Sequence, residues 1–317
     1  EIEVEEADTE YAHNVYGFIG AIDWGDGSTT TYDQLIGWPS HTYATAGKYT
    51  VTATGQCLAL TQANYENGAY TDKDLILNWG RADEGEGIGT VIYPFNSFIT
   101  RIIHIGSEMD LFVLQTAFAG QTKLKEIPAG VFDGLTEVMD FSGAFGGCTA
   151  LTSIPEGLFD NCTEVKGFEG TFNSCIGLTN IPIGLFDKCT KVTNFSETFY
   201  NCYGLTGEIP AGLFDNCPEV TTFSRTFAGC TGLTSIPAGL FNNNKKVTVF
   251  IGTFMECTEL TSESPYTIIN VDGSDVKVHL YERANYPEHF TAPAYYWDTF
   301  DNCTGLSDYA DILPSWT

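Results

Sequence analysis

The middle of the chain repeats one pattern of apolar and polar positions. Each copy follows V-x-x-F-x-x-T-F-x-x-C-x-x-L-T-x-I-P-x-G-L-F-D-N-C. The isoleucine recurs at spacings of 27, 27, 28 and 27, as Ile127, Ile154, Ile181, Ile209 and Ile236. A fixed period of this size predicts a solenoid. One coil cannot bury its apolar face alone, so stacked coils share a continuous core, and such folds present extended surfaces for binding.

The pattern also predicts how each coil is built. We expect the L-T-x-I segment to start a short strand that pairs with its copies in the neighbouring coils, and the F-x-x-C and F-D-N-C segments to form helical or 3-10 turns. Two phenylalanine columns should fill the core, one at Phe118, Phe145, Phe172, Phe199, Phe227 and Phe254, the other at Phe132, Phe159, Phe186, Phe214 and Phe241. One copy reads L-T-G-E-I-P, and its additional residue predicts a bulge at Gly207–Glu208.

Eight of the ten cysteines occupy two repeat positions. The first set is Cys148, Cys175, Cys202, Cys230 and Cys257, and the second is Cys162, Cys189 and Cys217. Leu135 and Asn244 replace cysteine at the second position in the outer copies, and a disulfide partner would not be exchanged for leucine. We therefore expect small buried thiols in stacked columns. Equivalent Cα atoms about 4.8 Å apart also leave disulfides within reach.

The repeat resembles the BspA-type leucine-rich repeat of bacterial surface proteins, whose hallmark is A-F-x-x-C-x-x-L. The matching residues are Ala117, Phe118, Leu124, Ala144, Phe145, Cys148 and Leu151. The resemblance covers about residues 98–261 and returns at 297–314. It implies a leucine-rich-repeat-like solenoid of about six 27-residue coils, on an exported protein of the bacterial cell surface.

The N-terminal part has a different pattern, typical of β-structure. Asp26-Gly27 is a hairpin turn signal, and apolar and polar residues alternate from Tyr49 to Thr54, as in a half-buried strand. The stretches W-G-D-G-S at 24–28, H-T-Y at 41–43 and G-K-Y-T-V at 47–51 resemble the PKD domain, a small β-sandwich. Asp23 and Asp26 raise the possibility of calcium, but no further ligands occur at the spacing of a calcium loop, so we expect a turn and no metal.

These patterns divide the chain into four parts. We expect a PKD-like β module with an acidic leader at 1–56, and a junction at 57–110 whose strands at 74–80 and 98–114 cover the end of the solenoid. The solenoid occupies 111–261. Residues 262–317 should hold an insertion with a hairpin about Asp272-Gly273, then a last coil and a C-terminal cap. The acidic leader is typical of the segment after a removed signal or a lipid-anchoring cysteine.

Charge and motifs narrow the function. The chain has 41 acidic and 14 basic residues and a net charge of −27, which disfavours nucleic acid and anionic membranes as partners. No catalytic motif or nucleotide fingerprint occurs, and no apolar run is long enough to span a membrane. His279 and Glu282 would point to opposite faces of the predicted hairpin. We therefore expect a monomeric, non-enzymatic protein without cofactors.

Two surfaces are candidates for binding. The first is the hydroxyl-rich face of the solenoid, with Thr152, Ser153, Thr179, Asn180, Thr234 and Ser235. The second is the aromatic set of the insertion: Tyr266, Tyr281, Tyr286, Phe290, Tyr295, Tyr296 and Trp297. Aromatic residues with polar tips suit contacts with proteins or glycans, although the same residues could instead cap the last coil. The favoured function is adhesion or recognition of a host protein or glycan at the cell surface. The alternatives are a structural spacer and an accessory protein for glycan capture.

Overall fold

The computed structural model describes residues 2–4, 9–12, 18–36, 40–57, 102, 105 and 114–317. The strand predicted at 74–80 lies outside these residues, as does nearly all of the strand predicted at 98–114.

The described residues of the N-terminal part form seven short strands. They are β1 (Ile2–Val4), β2 (Thr9–Ala12), β3 (Phe18–Asp23), β4 (Thr29–Ile36), β5 (Ser40–Tyr43), β6 (Gly47–Tyr49) and β7 (Thr52–Cys57). All of their pairings are antiparallel: β3 lies between β4 and β7, β1 pairs with β6, and β2 pairs with β5. The predicted hairpin at Asp26-Gly27 joins β3 to β4. The alternating stretch from Tyr49 to Thr54 is divided, because Tyr49 ends β6 and Thr52 begins β7. The two strands belong to different sheets, since β6 pairs with β1 and β7 pairs with β3.

Successive coils of the solenoid are held together by parallel bridges. Five isolated bridges connect six equivalent residues in turn: Asp140, Gly167, Asn194, Thr222, Val249 and Tyr295. In each repeat the bridge lies one residue before the phenylalanine of V-x-x-F. The strand was predicted at the second apolar pair of the repeat, L-T-x-I. At L-T-x-I only β8 (Gly207–Glu208) and β9 (Leu233–Ser235) form in the described residues, and they pair in parallel. The register shifts between Gly207 and Glu208, which confirms the predicted bulge.

After each bridge, alternate backbone N–H groups donate to carbonyl groups of the next coil. In one coil the N–H groups of Phe168, Gly170, Phe172 and Ser174 donate to the carbonyls of Asn194, Ser196, Thr198 and Tyr200, at 2.7–3.0 Å. The intervening N–H groups close turns within the coil, as the Cys175 N–H does on the Phe172 carbonyl at 3.1 Å. The predicted turn at F-x-x-C is therefore present. The same backbone also forms a ladder between coils.

This ladder is accompanied by left-handed backbone at two positions of a coil. Gly170 and Ser174 have φ of 59° and 58°, and the next coil has Glu197 and Asn201 at φ of 56° and 57°. Left-handed backbone disfavours residues with a Cβ. The left-handed backbone of Glu197 is therefore unfavourable in conformational energy, and the hydrogen bonds of the ladder offset this cost.

Three phenylalanine columns fill the core. The two predicted columns are confirmed: rings in the first stack at centroid distances of 5.3–5.7 Å, with Phe300 as its last member, and rings in the second stack at 6.1–6.2 Å. The third column comes from V-x-x-F and consists of Phe141, Phe168, Phe195, Phe223 and Phe250. Its rings lie between those of the second column, for example 4.8 Å from Phe168 to Phe186. Truncation of a buried phenylalanine to alanine costs about 3–5 kcal/mol, so the columns are a large part of the stability of the solenoid.

Buried thiol and hydroxyl groups connect one coil to the next. Nine cysteines of the described residues, Cys303 among them, are free and buried, as predicted for stacked thiols. The Cys175 thiol donates to the carbonyl of Phe145 at 3.0 Å, and the buried Thr171 hydroxyl donates to the carbonyl of Phe141 at 2.9 Å. Because burial disfavours the thiolate, the pKa of Cys148 and that of Cys202 are raised to about 12.

The insertion and the C-terminus form the far end of the solenoid. The predicted hairpin is present as β10 (Tyr266–Val271) and β11 (Ser274–His279), with its turn at Asp272 and Gly273. Two 3-10 helices follow, Leu280–Asn285 and Tyr309–Asp311. Trp316 is buried at the end of the core, and its carbonyl accepts a hydrogen bond from the Phe300 N–H at 2.9 Å. Trp316 therefore packs against the last coil, where its ring lies 6.5 Å from that of Phe300.

Within the part of the chain that the structure describes, no helix combines the length and the hydropathy needed to cross a bilayer.

Candidate binding surfaces

Tyr295 and Trp297 form an exposed aromatic pair on the last coil. Their side chains are 51% and 48% exposed, and the two rings meet edge to face with centroids 5.6 Å apart. Two large aromatic side chains that are exposed and in contact with each other form a contiguous apolar patch, which is more informative than a single exposed apolar residue. The two rings therefore form a solvent-exposed aromatic surface on the last coil.

The backbone under this pair is fixed by the inter-coil ladder. The carbonyl of Tyr295 accepts the N–H of Phe250 at 2.7 Å, and the carbonyl of Trp297 accepts the N–H of Gly252 at 3.0 Å. The residue between them, Tyr296, turns inward and stacks on Trp316 with centroids 4.6 Å apart. The alternation places the two exposed rings on the outer side of a backbone that hydrogen bonds hold in place.

The preceding coil extends this surface with aliphatic side chains. Val249 is bridged to Tyr295, and Ile251 holds the position equivalent to Trp297. Both side chains are half-buried. We name Val249, Ile251, Tyr295 and Trp297 the aromatic patch.

Earlier coils carry small or polar residues at the same two positions. The equivalent pairs are Asp140 and Ser142, Gly167 and Glu169, Asn194 and Ser196, and Thr222 and Ser224. Among these described coils, the apolar character therefore appears only in the last two. The outward surface of the last two coils is therefore more apolar than that of the earlier described coils.

The other aromatic residues predicted for the site lie elsewhere in the insertion. Tyr281 stacks on the imidazole ring of His279, with centroids 5.1 Å apart, and Tyr266 contacts the same ring at 5.7 Å. Tyr286 packs against a small separate core, in which Phe290 is buried. The structure thus brings together only Tyr295 and Trp297 at the surface, and distributes the remaining predicted residues over the cap and the hairpin.

Arg283 is a buried residue of the insertion that the sequence analysis did not select. Its guanidinium donates to the carbonyls of Phe241, at 2.7 Å, and Asn244, at 3.4 Å. It also lies over the ring of Phe290, 4.4 Å from the centroid. Burial lowers the pKa of Arg283 to about 9. Its carbonyl partners lie 42 and 39 residues away in the chain, and contacts of that range leave no local pattern in a sequence.

The hydroxyl-rich face of the solenoid is present as expected. Thr152, Thr179 and Thr234 are exposed on stretches of L-T-x-I. The Thr179 hydroxyl donates to the carbonyl of Thr152 at 3.3 Å, so part of its hydrogen-bonding capacity is used between coils. Threonine also favours extended backbone, which fits its recurrence at this position of the coil.

The N-terminal aspartates serve as turn residues. Asp26 Oδ1 accepts hydrogen bonds from the side chain and the N–H of Ser28, at 2.5 and 2.9 Å, and Asp26 Oδ2 lies 2.7 Å from His41 Nε2. The hydrogen bonds from Ser28, together with His41, lower the pKa of Asp26 to about 2. Asp23 accepts the N–H of Gly25 at 2.9 Å. Both carboxylates hold the β3–β4 turn, which agrees with the turn that the sequence predicted.

Comparison with known proteins gives structural neighbours of the leucine-rich-repeat class. A leucine-rich cell surface protein from Faecalibacterium prausnitzii is 18% identical, with a TM-score of 0.20, over 62% of this chain and 68% of that one. A leucine-rich repeat protein from Bacteroides ovatus is 17% identical, with a TM-score of 0.13, over 51% and 66%. No protein-family model and no curated protein matches the chain. The repeat architecture rests on the contacts between coils described above.

Proposed function

We propose that this protein is a non-enzymatic recognition protein of the bacterial cell surface, which binds a host protein or a glycan through the aromatic patch. The single observation that carries the proposal is the exposure of Tyr295 and Trp297 on a backbone fixed by ladder hydrogen bonds. Rigid, exposed aromatic side chains are the residues that most often dominate binding energy. The cell-surface location rests on the resemblance of the repeat to BspA-type proteins.

The chemistry of the patch favours a neutral or basic ligand surface. The chain carries a net charge of −27, and Asp298 and Asp301 come shortly after Trp297. An anionic ligand would meet repulsion there. Tyr295 and Trp297 offer ring faces together with one hydroxyl and one indole N–H, a combination that suits either a sugar ring or an apolar protein surface with polar neighbours.

The test is binding of the purified chain to immobilised glycans and to host extracellular matrix proteins. We expect at least one ligand to bind, and the double variant Tyr295→Ser, Trp297→Ser to bind it at least about 30-fold more weakly, as expected for a pair of hot-spot residues. Tyr203→Ser is the matched control, because Tyr203 is 50% exposed on an earlier coil, outside the patch.

Two outcomes would overturn the proposal. Absence of binding to both panels would leave the structural spacer as the better explanation of the fold. Binding that the double variant retains at full strength would move the site away from the aromatic patch, and the hydroxyl-rich face would be tested next.

A further inference from the structure

A histidine and two carboxylates from three separate segments meet behind the hairpin. His279 ends β11, Glu263 precedes β10, and Asp308 precedes the last 3-10 helix. His279 Nε2 lies 3.3 Å from Glu263 Oε1, and His279 Nδ1 lies 3.4 Å from Asp308 Oδ2. One ligand atom from each residue falls within 4.8 Å of the others.

We propose that Glu263, His279 and Asp308 form a binding site for a divalent transition-metal ion, with Zn²⁺ as the best fit. One imidazole nitrogen and two carboxylate oxygens are ligands that Zn²⁺ accepts, and three protein ligands leave a position for water. Ca²⁺ and Mg²⁺ prefer oxygen ligands alone and fit this set poorly. No sequence motif indicates the site, because its ligands are 16 and 29 residues apart.

Two of the three ligands are held in position by neighbouring groups. Asp308 accepts hydrogen bonds from both the N–H of Ser264, at 2.8 Å, and its hydroxyl, at 2.5 Å. Tyr281 stacks on the ring of His279 with an interplanar angle of 14°. Hydrogen-bonded carboxylates and an oriented imidazole are the supporting arrangement that metal sites typically have.

Glu263 is the ligand that has to move. The two carboxylates approach different ring nitrogens of His279, so a single ion requires one of them to swing across. The Glu263 side chain is 34% exposed, against 10% for Asp308, and its solvated position allows a new rotamer. Without an ion, Glu263 pairs with Lys277 at 2.5 Å, and Lys277 also lies over the ring of Tyr266 at 4.1 Å. A bound ion would replace the lysine ammonium as the partner of Glu263.

Metal binding would add a link between the insertion, at His279, and the C-terminal segment, at Asp308. The ion would connect three segments: the end of a coil at Glu263, the hairpin at His279 and the C-terminal segment at Asp308. The ion would be held by the deprotonated forms of the three side chains. This proposal does not depend on the function assigned to the aromatic patch.

The experiment is a calorimetric titration of the full chain with Zn²⁺, Ca²⁺ and Mg²⁺. We expect one Zn²⁺ to bind at this site and raise the Tm, with no saturable binding of Ca²⁺ or Mg²⁺ there. His279→Gln and Asp308→Asn should each lower the Zn²⁺ affinity at least about tenfold. His289→Gln is the matched control, because it removes an imidazole from the same insertion but outside the cluster.

Glu263→Gln is a third variant, which tests the site even if the His279 and Asp308 variants do not fold. Its side chain is partly exposed, so we expect a folded protein by circular dichroism, with Zn²⁺ affinity lowered at least about tenfold. The proposal is overturned if the unaltered chain shows no saturable Zn²⁺ binding. It is also overturned if Glu263→Gln and any folded His279 or Asp308 variant bind Zn²⁺ as tightly as the His289 control.

Discussion

The side-chain amide of Asn244 donates a hydrogen bond to the backbone carbonyl of Cys217, at 2.8 Å, and takes the place of a thiol in the second cysteine column. One coil earlier, the Cys217 thiol approaches the carbonyl of Cys189 at 3.5 Å in the same way. A polar side chain at this buried position therefore continues the column. Asn244 Oδ1, however, has no hydrogen-bond partner among the described residues.

The role of Asn244 predicts an order of stability. Asn244→Ala should destabilise the fold by about 1–3 kcal/mol, because the carbonyls of Phe214 and Cys217 lose a donor. Asn244→Cys should be less destabilising than the alanine variant, since a thiol reaches the equivalent carbonyls elsewhere in the column and leaves no orphaned oxygen. Urea unfolding of the three proteins measures the order, and equal midpoints for the two variants would contradict it.

Close contact between coils makes Gly204 sensitive to substitution. A Cβ at this position would lie 2.4 Å from the carbonyl oxygen of Ile176 and 2.6 Å from that of Leu178. Gly204→Ala should therefore cost about 1–3 kcal/mol in the free energy of unfolding. Gly146→Ala is the control, because its Cβ would approach no heavy atom closer than 3.4 Å. If the Gly204→Ala protein is as stable as the control, adjacent coils can shift apart at this position without a cost in free energy, which would contradict the prediction.

The buried thiols should be unreactive in the folded protein. Cys175 and Cys230 are completely buried, and burial raises the pKa of each well above its usual value. Since the thiolate is the reactive form, we expect a thiol reagent to modify the nine buried cysteines of the solenoid only after denaturation. Spectrophotometric titration before and after addition of guanidinium measures this. Rapid modification of most thiols under native conditions would indicate open coils or exposed columns.

Stability should fall as the pH rises above about 9, where thiols of an unfolded chain lose their protons. Burial raises the pKa of Cys148 and that of Cys202 to about 12. A group with a raised pKa in the folded state keeps its proton there and loses it in the unfolded state. The contribution of such a thiol to the free energy of unfolding is complete at a pH below its pKa in the unfolded chain. That contribution is lost as the pH rises toward the pKa of the thiol in the folded protein.

The measurement compares urea midpoints from about pH 8 to about pH 10, where thiols titrate before most tyrosines. The double variant Cys148→Ala, Cys202→Ala should show a shallower decrease with pH than the unaltered chain, whatever its stability at the lower pH. An identical slope for both proteins would show that the thiol columns do not control the pH dependence.

Much of the solenoid was predictable because its period is strict. The repeated positions of Phe145 and Phe159 placed two core columns, and the additional residue before Ile209 located the bulge. The strand pairing predicted at L-T-x-I is present between two coils, as β8 and β9, but the parallel bridges at V-x-x-F were not predicted. Both segments are short apolar pairs, and pattern alone does not decide how much of the pairing each of them carries. The left-handed backbone at Glu197 and Arg225 was not predictable either, since neither residue type favours that conformation.

The candidate sites also combine features that the sequence predicts with features that only the tertiary structure shows. Sequence alone determined the repeat, the buried thiols, the hairpin and the presence of aromatic residues in the insertion, because each depends on local spacing or on a fixed period. Only the tertiary structure decided that Tyr295 and Trp297 face solvent while Tyr296 turns inward, and that Asp308 meets Ser264 across 44 residues. Exposure and contacts between distant segments depend on how the insertion folds back on the last coil, and no periodic pattern encodes that packing.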